Sequence, residues 1–347
     1  MRGSIRKNIK KILTVLLSLA MISACMVPSF AAIQFDKLIP VQGKPNSRRK
    51  YQVATAQQPA AVQGQTEEQN TNQPAPTSST MKVMISGIYD SFDRSSIVDQ
   101  INAIRKQAYE EKLVSEYVPV QWSSDLEAIA RQRAVEAIMS ASHTRPDGSA
   151  WYTAESGGIQ PDAEDLAWGK TVSEAFPYWT SGKEEYQQTG ANNDNTSNYL
   201  ILINPDYKYI GFSSFAVGEG TVRRASALEL SSGNDLRVGA NGSFGTDSVD
   251  VNVLRRNVTY HFSGPSSTAV GKRVRFDVVG YYSEAESADA YNGTFTVSLK
   301  DDPVWNSSNQ SVGTISSDGI FTAVAPGTTT VTAQINGKTV GKNVTVK

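Results

Sequence analysis

The chain has 347 residues, more than a single compact core usually organises, so two folded units are expected. Apolar residues make up 39% and charged residues 19%, a composition typical of globular proteins and unlike that of collagen or a coiled coil. The formal net charge of −1 disfavours a nucleic-acid binder, while one cysteine and two histidines exclude a disulfide framework and a histidine-rich metal cluster.

The first 31 residues have the pattern of a secretory signal peptide. Basic residues precede an apolar run of about 16 residues, and the small residues Ser29 and Ala31 favour cleavage after Ala31. The run is shorter than the roughly 20 residues of a spanning helix, so no transmembrane segment is expected after processing. The motif ending in Cys25 also resembles one that precedes a lipidated cysteine. We therefore predict secretion, with a lipid anchor on Cys25 at the cell surface as the alternative.

Residues 32–88 are predicted to form a disordered spacer. Between Ala54 and Thr80 the chain is rich in Gln, Pro, Thr, Ala and Asn and has no aromatic residue. Such a segment cannot bury enough apolar surface to offset the entropy lost on folding.

Two amphipathic helices are predicted after the spacer. Apolar residues recur every three or four positions after Asp93, as on the buried face of a helix. Ser124 and Glu127 have the spacing of a capping box, and the apolar positions that follow predict a second helix that ends near Ser142. His143 is then expected at or just beyond the C-terminus of that helix.

The next part of the chain is expected to contain a turn, a short helix and two strands. The Arg-Pro-Asp-Gly run at 145–148 is a turn signal, and residues 174–179 favour a short helix that contains Pro177. Residues 199–203 and 207–217 are predicted to be strands. Helices followed by strands indicate an α+β layered domain, which we place at residues 89–217.

The C-terminal region, residues 252–347, shows only strand patterns. Apolar and polar residues alternate over 274–278, and Asn336-Gly337 is a strong hairpin signal. Short strands between Gly- and Asn-rich turns predict a β-sandwich. Residues 218–251 have no clear pattern and are interpreted as a connecting segment.

Several short motifs follow one another between residues 90 and 217. They are Trp122-Ser123-Ser124-Asp125-Leu126, Ser142-His143-Thr144-Arg145-Pro146-Asp147-Gly148, Ala163-Glu164-Asp165-Leu166-Ala167-Trp168-Gly169, Trp179 with Tyr186, and Asn198-Tyr199-Leu200 before Asn204-Pro205. Their order resembles that in bacterial members of the CAP superfamily, which includes cysteine-rich secretory proteins and plant pathogenesis-related proteins. The resemblance implies a three-layer α-β-α sandwich, and it says much less about function.

Three further motifs lie in the C-terminal region. They are Trp305-Asn306-Ser307-Ser308-Asn309-Gln310-Ser311-Val312, Ser317-Asp318-Gly319 and Ala325-Pro326-Gly327-Thr328. This series resembles the group-two bacterial immunoglobulin-like domain, which serves as a spacer or adhesion module on secreted and surface proteins. The predicted fold class is therefore α+β: a three-layer CAP sandwich followed by an all-β immunoglobulin-like sandwich.

The CAP resemblance implies a pocket of two histidines and two acidic residues, which binds a divalent metal in some members. His143 matches the first histidine and Glu164 the first acidic residue. Gly182 and Asn198 stand where the second acidic residue and the second histidine are expected. Because an asparagine does not titrate near neutral pH, Asn198 is no general base, and we interpret the pocket as degraded.

A neighbouring carboxylate offers a substitute for the missing acid. A helix that continued through Gly182 would place Glu185 on nearly the same face, although glycine weakens a helix. His143 is expected to bond to Glu164 and so to tie down the helix end. The pocket candidates are His143, Glu164, Glu185, Asn198 and Tyr199. We predict no catalytic residue, no bound metal and no cofactor.

These features predict a non-enzymatic secreted or cell-surface protein that binds a lipid, a glycan or a protein outside the cell, in association with the cell envelope. Two alternatives stay open. One is an extracellular hydrolase of the peptidase type that uses the CAP cleft, and the other is a structural envelope or adhesion protein.

Overall fold

A computed structural model describes residues 79–218, 223–234, 236–283, 295–299 and 301–347. All of these ranges belong to one compact unit, Ile39–Lys347. The predicted signal peptide and nearly all of the predicted spacer lie outside the described residues. Within those ranges, no helix is both long enough and apolar enough to cross a membrane.

The described α-helices all lie in the N-terminal two thirds of the chain. They are α1 Arg94–Glu110, α2 Ser124–Met139, α3 Val172–Trp179, α4 Lys183–Thr189 and α5 Ser197–Ile203. The strands around them are β1 Thr80–Tyr89, β2 Gln121–Trp122, β3 Ala163–Trp168, β4 Tyr209–Val217, β5 Arg223–Ser231 and β6 Gly245–Leu254. The C-terminal strands are β7 Val258–Ser263, β8 Ser267–Thr268, β9 Arg273–Arg275, β10 Asp277–Tyr282, β11 Phe295–Leu299, β12 Val304–Ser307, β13 Gly313–Ile315, β14 Ile320–Ala323, β15 Gly327–Ile335 and β16 Lys338–Val346.

One sheet runs through both halves of the described chain. Its strand order is β3-β5-β4-β1-β11-β10-β7, with β2 beside β4 and β6 beside β1. Strand β1 pairs with β6 along its whole length and, on its other side, with β4 at Ile88 and Tyr89 and with β11 at Val83 and Met84. The other described strands form the sheets β12-β15-β16-β8 and β13-β14-β9.

Helices cover both faces of this sheet where β1, β3, β4 and β5 lie side by side. Helix α2 packs Ala130 and Ala134 onto one face. Helices α1, α3 and α5 pack Ile101, Phe176 and Leu202 onto the other face. The predicted three-layer α-β-α sandwich is therefore confirmed, with an apolar core on each side of the sheet.

Two boundaries drawn from the sequence need correction. Strand β1 begins at Thr80, so it includes the end of the predicted spacer. Strand β5 lies between β3 and β4, so the predicted connecting segment 218–251 contains an inner strand of the sandwich. Residues 225–231 are buried on both faces of the sheet, which removes the alternation that reveals a half-exposed strand.

Two local predictions are wrong. Residues 199–203, predicted as a strand, belong to helix α5, which buries Tyr199, Leu202 and Ile203. A short apolar run fits either structure, and the i, i+3, i+4 spacing of these three residues suits a helix.

The predicted capping box at the start of α2 is also wrong. The N-cap is Ser123, whose side chain accepts a hydrogen bond from the Leu126 amide. The Glu127 carboxylate instead accepts hydrogen bonds from Trp122 Nε1, at 2.8 Å, and from Arg94.

The C-terminal strands form the predicted all-β domain with its own core. Phe276, Phe321 and Val331 are fully buried in that core. The predicted hairpin at Asn336-Gly337 is confirmed, since these two residues join β15 to β16 with φ angles of 50° and 76°. Two successive positive φ angles match the type I′ turn, which Asn-Gly favours.

The apolar core beneath α2 also joins the two domains. Its buried members from the α-β-α sandwich include Met81, Val83, Val251 and Val253, and those from the C-terminal domain include Val258, Tyr282 and Val297. The Arg255 guanidinium also donates to the Thr80 carbonyl oxygen at 3.1 Å and to the Asn336 carbonyl oxygen at 3.4 Å. The domains therefore share a sheet and a core.

Candidate functional site

His143 and Glu164, the two candidates that match the CAP pocket, are in direct contact. His143 lies in the loop after α2, and Glu164 is a fully buried residue of β3. His143 Nδ1 lies 2.7 Å from Glu164 Oε1. The Trp168 ring packs edge-on against the imidazole with centroids 6.0 Å apart. These contacts leave the His143 side chain 16% exposed.

A buried arginine from α2 completes this contact. Arg133 Nε donates to Glu164 Oε2 at 2.6 Å, and its second terminal nitrogen lies 3.1 Å from Glu164 Oε1. The same nitrogen donates to the His143 carbonyl oxygen at 3.0 Å. Arg133 therefore holds both Glu164 and the His143 loop, and it engages both oxygens of the carboxylate.

Charge from Arg133 decides the ionisation of Glu164. Burial by itself would raise the pKa of this carboxyl, but the Arg133 charge and the hydrogen bonds from His143 and Arg133 lower the pKa to about 2. Glu164 is therefore a carboxylate across the physiological pH range. A group with so low a pKa is a poor general acid or base near pH 7.

The ionic contacts continue from Arg133 toward the surface. Arg133 also donates to Glu136 at 2.7 Å, one turn further along α2. Arg145 donates to both Glu136 oxygens, at 2.9 and 2.8 Å. Arg145 begins the predicted turn, which is confirmed by a 2.8 Å hydrogen bond from the Gly148 amide to the Arg145 carbonyl oxygen. The loop that carries His143 is thus fixed at both ends by α2.

Two further carboxyl groups are buried in the same part of the sheet. Glu229 of β5 lies directly opposite Glu164 of β3, and Asp165 faces the other side of the sheet beside Leu228. Both are fully buried, and neither oxygen of Asp165 has a hydrogen-bond partner among the described residues. Burial, together with the negative charge of Glu164, raises the pKa of both groups well above their usual range. Both therefore favour the protonated form.

Arg133 and Glu229 were not identified from the sequence. A signal for Arg133 exists, since it lies three residues after Ala130 and one before Ala134 on the buried face of α2. A charged residue in an apolar stripe needs a buried partner. Glu229 offered no signal of this kind, because β5, the strand that contains it, was not recognised from the sequence.

The other pocket candidates lie on the helices α4 and α5, where they form other contacts. Helix α3 ends at Trp179, and Gly182 is the N-cap of α4, so no continuous helix passes through Gly182. Glu185 accepts hydrogen bonds from Asn193 at 2.6 Å and Asn195 at 3.2 Å. Tyr199 is buried in α5 against Tyr186, and Asn198 precedes it in the same helix. The continuous helix that would have placed Glu185 in the position of the missing acid is therefore not formed.

Comparisons with protein families agree with the two folds. The model of the cysteine-rich secretory protein family, CAP, matches residues 98–222, and the model of the bacterial Ig-like domain, group 2, matches residues 269–346. The chain carries a CAP domain followed by a bacterial Ig-like domain. Both domains are typical of extracellular or surface proteins. No curated protein matches the chain.

Two solved structures show similarity to part of the chain. The crystal structure of MpPR-1i is 13% identical, covering 44% of this chain and 100% of that one with a TM-score of 0.27. The crystal structure of MpPR-1i soaked with selenourea for 10 min is 11% identical, with the same coverage and TM-score.

The residues of this CAP domain do not fit the divalent metal that the family implies. Within the described ranges, no group of three or more His, Cys, Asp or Glu side chains is placed to hold a metal ion. Both oxygens of Glu164 are engaged by Arg133 and His143, and a guanidinium beside the carboxylate repels a cation. We therefore derive no metal-dependent step for this site.

We predict that Asp165→Asn stabilises the CAP domain increasingly as the pH rises. Because the folded pKa of Asp165 is raised above the unfolded value of about 3.9, the native state keeps a proton that the unfolded chain loses. This group therefore lowers the stability of the wild type by up to about 1.4 kcal/mol per pH unit above pH 4, and asparagine abolishes the effect. Urea unfolding at pH 4.5 and 7.5 measures it.

The matched control for this prediction is Asp206→Asn, at an exposed position. The control should leave the difference in unfolding free energy between the two pH values as in the wild type. If the unfolding free energy falls between pH 4.5 and 7.5 by the same amount in Asp165→Asn as in the wild type, Asp165 does not retain its proton on folding.

We also predict that Gly182 tolerates no side chain. A Cβ there would overlap the backbone oxygen of Asn195 and crowd the Cα of Thr196. Gly182→Ala should therefore lower the free energy of unfolding by about 1–3 kcal/mol. Gly233→Ala is the control, because its new Cβ meets mainly the flexible end of Leu236. Wild-type stability of Gly182→Ala in urea unfolding would show that the turn before α4 can rearrange.

Proposed function

We propose that this protein acts outside the cytoplasm as a non-enzymatic binding protein of the cell envelope. The proposal is supported by the pairing of a CAP domain with a bacterial Ig-like domain. The observation that carries it is the Arg133–Glu164 ion pair, which occupies both oxygens of the CAP pocket carboxylate.

That ion pair argues against acid–base chemistry at Glu164. The carboxylate has a pKa of about 2, so it neither donates nor takes up a proton near pH 7. Because Arg133 and His143 bind both oxygens of Glu164, the carboxylate serves to fix the loop that carries His143. A binding protein can use such a rigid loop, since ordered contact groups lose little conformational entropy when a ligand binds.

The experiment is a retention assay with the protein that lacks residues 1–31. We expect isolated envelope fractions to retain it, and we expect His143→Ala to change its affinity by no more than a few-fold. His261→Ala, at an exposed position of β7, is the matched control. The absence of retention on every envelope fraction, with the protein folded, would contradict the proposal.

A hydrolase is the second candidate, and one observation favours it. A carboxylate bound to Nδ1 of a histidine, as Glu164 is to His143, is the arrangement that orients a catalytic imidazole. This candidate requires that the purified protein cleave envelope peptides and that His143→Ala abolish the cleavage. Retention without cleavage favours binding.

The location is part of the same proposal. The relevant residues, 1–31 and Cys25, lie outside the described part of the chain. Fractionation of the producing cell should recover the protein from the medium or the envelope without residues 1–31. Diacylation of Cys25 would support the lipid-anchored form, and recovery from the cytosol with Met1 intact would contradict export.

A further inference from the structure

Glu229 and Glu164 face each other across two neighbouring strands. They lie directly opposite each other in the antiparallel pair of β5 and β3. Residues so placed point to the same face of a sheet, with Cβ atoms about 4.5–5.5 Å apart. Both residues are 0% exposed. On the other side of Glu229, the opposite residue of β4 is Gly211, which has no side chain. Of the two residues opposite Glu229, only Glu164 therefore offers a polar group.

The charges near Glu229 balance without it. On α2, Arg133 donates to Glu136 and to both oxygens of Glu164. Arg145 donates to both oxygens of Glu136. Two guanidinium groups thus face two carboxylates, and no N–H or hydroxyl group of the described residues donates to either Glu229 oxygen. An ionised Glu229 would add a buried negative charge without a cation of its own, which is costly.

One of the two opposed carboxyl groups therefore keeps a proton. Two like charges this close in a buried site disfavour each other's ionisation. Arg133 holds Glu164 as the carboxylate, so the proton stays on Glu229, whose pKa is raised well above its usual range by burial and by the charge of Glu164. The Glu229 side chain lies within hydrogen-bonding reach of Glu164. Because ionised carboxylates have no proton to donate, this contact is a hydrogen bond only if Glu229 donates its own.

The charge of Glu164 also decides which nitrogen of His143 carries a proton. Glu164 is an anion, so the 2.7 Å contact between His143 Nδ1 and Glu164 Oε1 requires that Nδ1 donate. Glu164 then accepts hydrogen bonds from three elements: Arg133 on α2, His143 in the following loop and Glu229 on β5. Hydrogen bonds to an ionised group are the strong ones, so a carboxylate held from three sides stays against the imidazole.

We propose that Glu229 is a positioning residue of the His143–Glu164 pair: as a neutral carboxylic acid it donates a hydrogen bond to the Glu164 carboxylate and so holds that carboxylate against the His143 imidazole. Glu229 acts through Glu164 and needs no contact with a ligand. This role goes beyond the proposed function, because a binding loop and a catalytic imidazole would both need the fixed pair.

Infrared spectroscopy of the untagged protein without residues 1–31, near neutral pH, tests the neutral state of Glu229. Asp165→Asn is the background, because Asp165 is a second buried carboxyl group that favours its proton. In that background we expect the carbonyl stretching band of a protonated carboxylic acid, and we expect Glu229→Gln to abolish it. Glu155→Gln, at an exposed position, is the matched control and should leave the band in place. Absence of the band while Glu229 is present, or its persistence in Glu229→Gln, would overturn the proposal.

Nuclear magnetic resonance of the imidazole tests the positioning. His261→Ala removes the other histidine of the chain, so the imidazole signals all come from His143. We expect Nδ1 to carry a proton. Glu229→Gln should keep these signals, because its amide N–H group can donate to Glu164, whereas Glu229→Met is similar in size, has no donor and should shift them. Glu229→Met should also accelerate hydrogen exchange over residues 140–148 by at least about tenfold, the effect of one hydrogen bond to a charged group.

Two results would overturn the positioning role. One is identical imidazole signals in Glu229→Gln and Glu229→Met, and the other is loss of the original signals in Glu229→Gln. If Glu229→Met does not fold, the infrared band and the comparison of Glu229→Gln with the wild type still decide. Neither measurement uses envelope fractions, so a failure here leaves the proposed function to its own retention assay.

Discussion

Replacement of Arg133 by leucine should lower the free energy of unfolding by about 3–5 kcal/mol, because it leaves the charge of Glu164 buried without a cation, whereas Glu136 keeps its pairing with Arg145. The loss is large against the total stability of about 5–15 kcal/mol that folded proteins have. Urea unfolding followed by circular dichroism measures it. The released loop should also expose His143, which accelerated hydrogen exchange over residues 140–148 would show.

Two variants separate burial of charge from loss of a side chain. Lys106→Leu removes a cation from an exposed i,i+4 pair with Glu110 and should cost less than about 0.5 kcal/mol. Arg133→Leu combined with Glu164→Gln should recover part of the loss, because the unpaired charge is then gone. Arg133→Leu with wild-type stability would show that water or another cation reaches Glu164, and would weaken the argument against acid–base chemistry there.

Deletion of residues 258–347 should prevent the CAP domain from folding stably. The deletion removes Val258, Tyr282 and Val297 from the shared core and exposes the buried side chains of Met81, Val83, Val251 and Val253. Each fully buried apolar side chain contributes about 1.5–3 kcal/mol, so the loss rivals the whole stability of a domain. The fragment 79–257 should therefore aggregate or give a poorly dispersed NMR spectrum.

The fragment 79–347 is the control, because it keeps every described strand. It should unfold cooperatively in urea, with the fluorescence of the CAP tryptophans and the near-ultraviolet signal of the Ig-like domain changing together. A soluble fragment 79–257 with a dispersed spectrum would contradict the prediction. It would show that the CAP sheet can fold stably without β7, β10 and β11.

The shared core changes how the Ig-like domain is interpreted. A spacer module needs only a flexible junction, but here β1 pairs with β11, and Arg255 bonds to both Thr80 and Asn336. The Ig-like domain thus forms part of the structure that supports the CAP sheet. A partner that holds the Ig-like domain would therefore also hold the CAP domain in a defined orientation.

The sequence by itself determined the elements whose signals are local. The apolar stripe of α2 predicts its buried face, because residues three and four apart share one side of a helix. Asn336-Gly337 predicts its hairpin, because these residues readily adopt positive φ angles. Ordered motifs also placed the CAP and Ig-like domains, and with them the contact between His143 and Glu164.

Only the tertiary structure decided the features that depend on contacts between distant segments. Arg133 and Glu164 are 31 residues apart, and their pairing follows from the packing of α2 on the sheet. Strand β5 is buried on both faces, so its sequence lost the alternation that marks a strand. The short run around Tyr199 is too short for its spacing to decide between helix and strand, and α5 forms where Ala108 of α1 and Tyr186 pack against it. Contacts that form only in the folded chain, which no local pattern encodes, thus set the charge of Glu164 through Arg133.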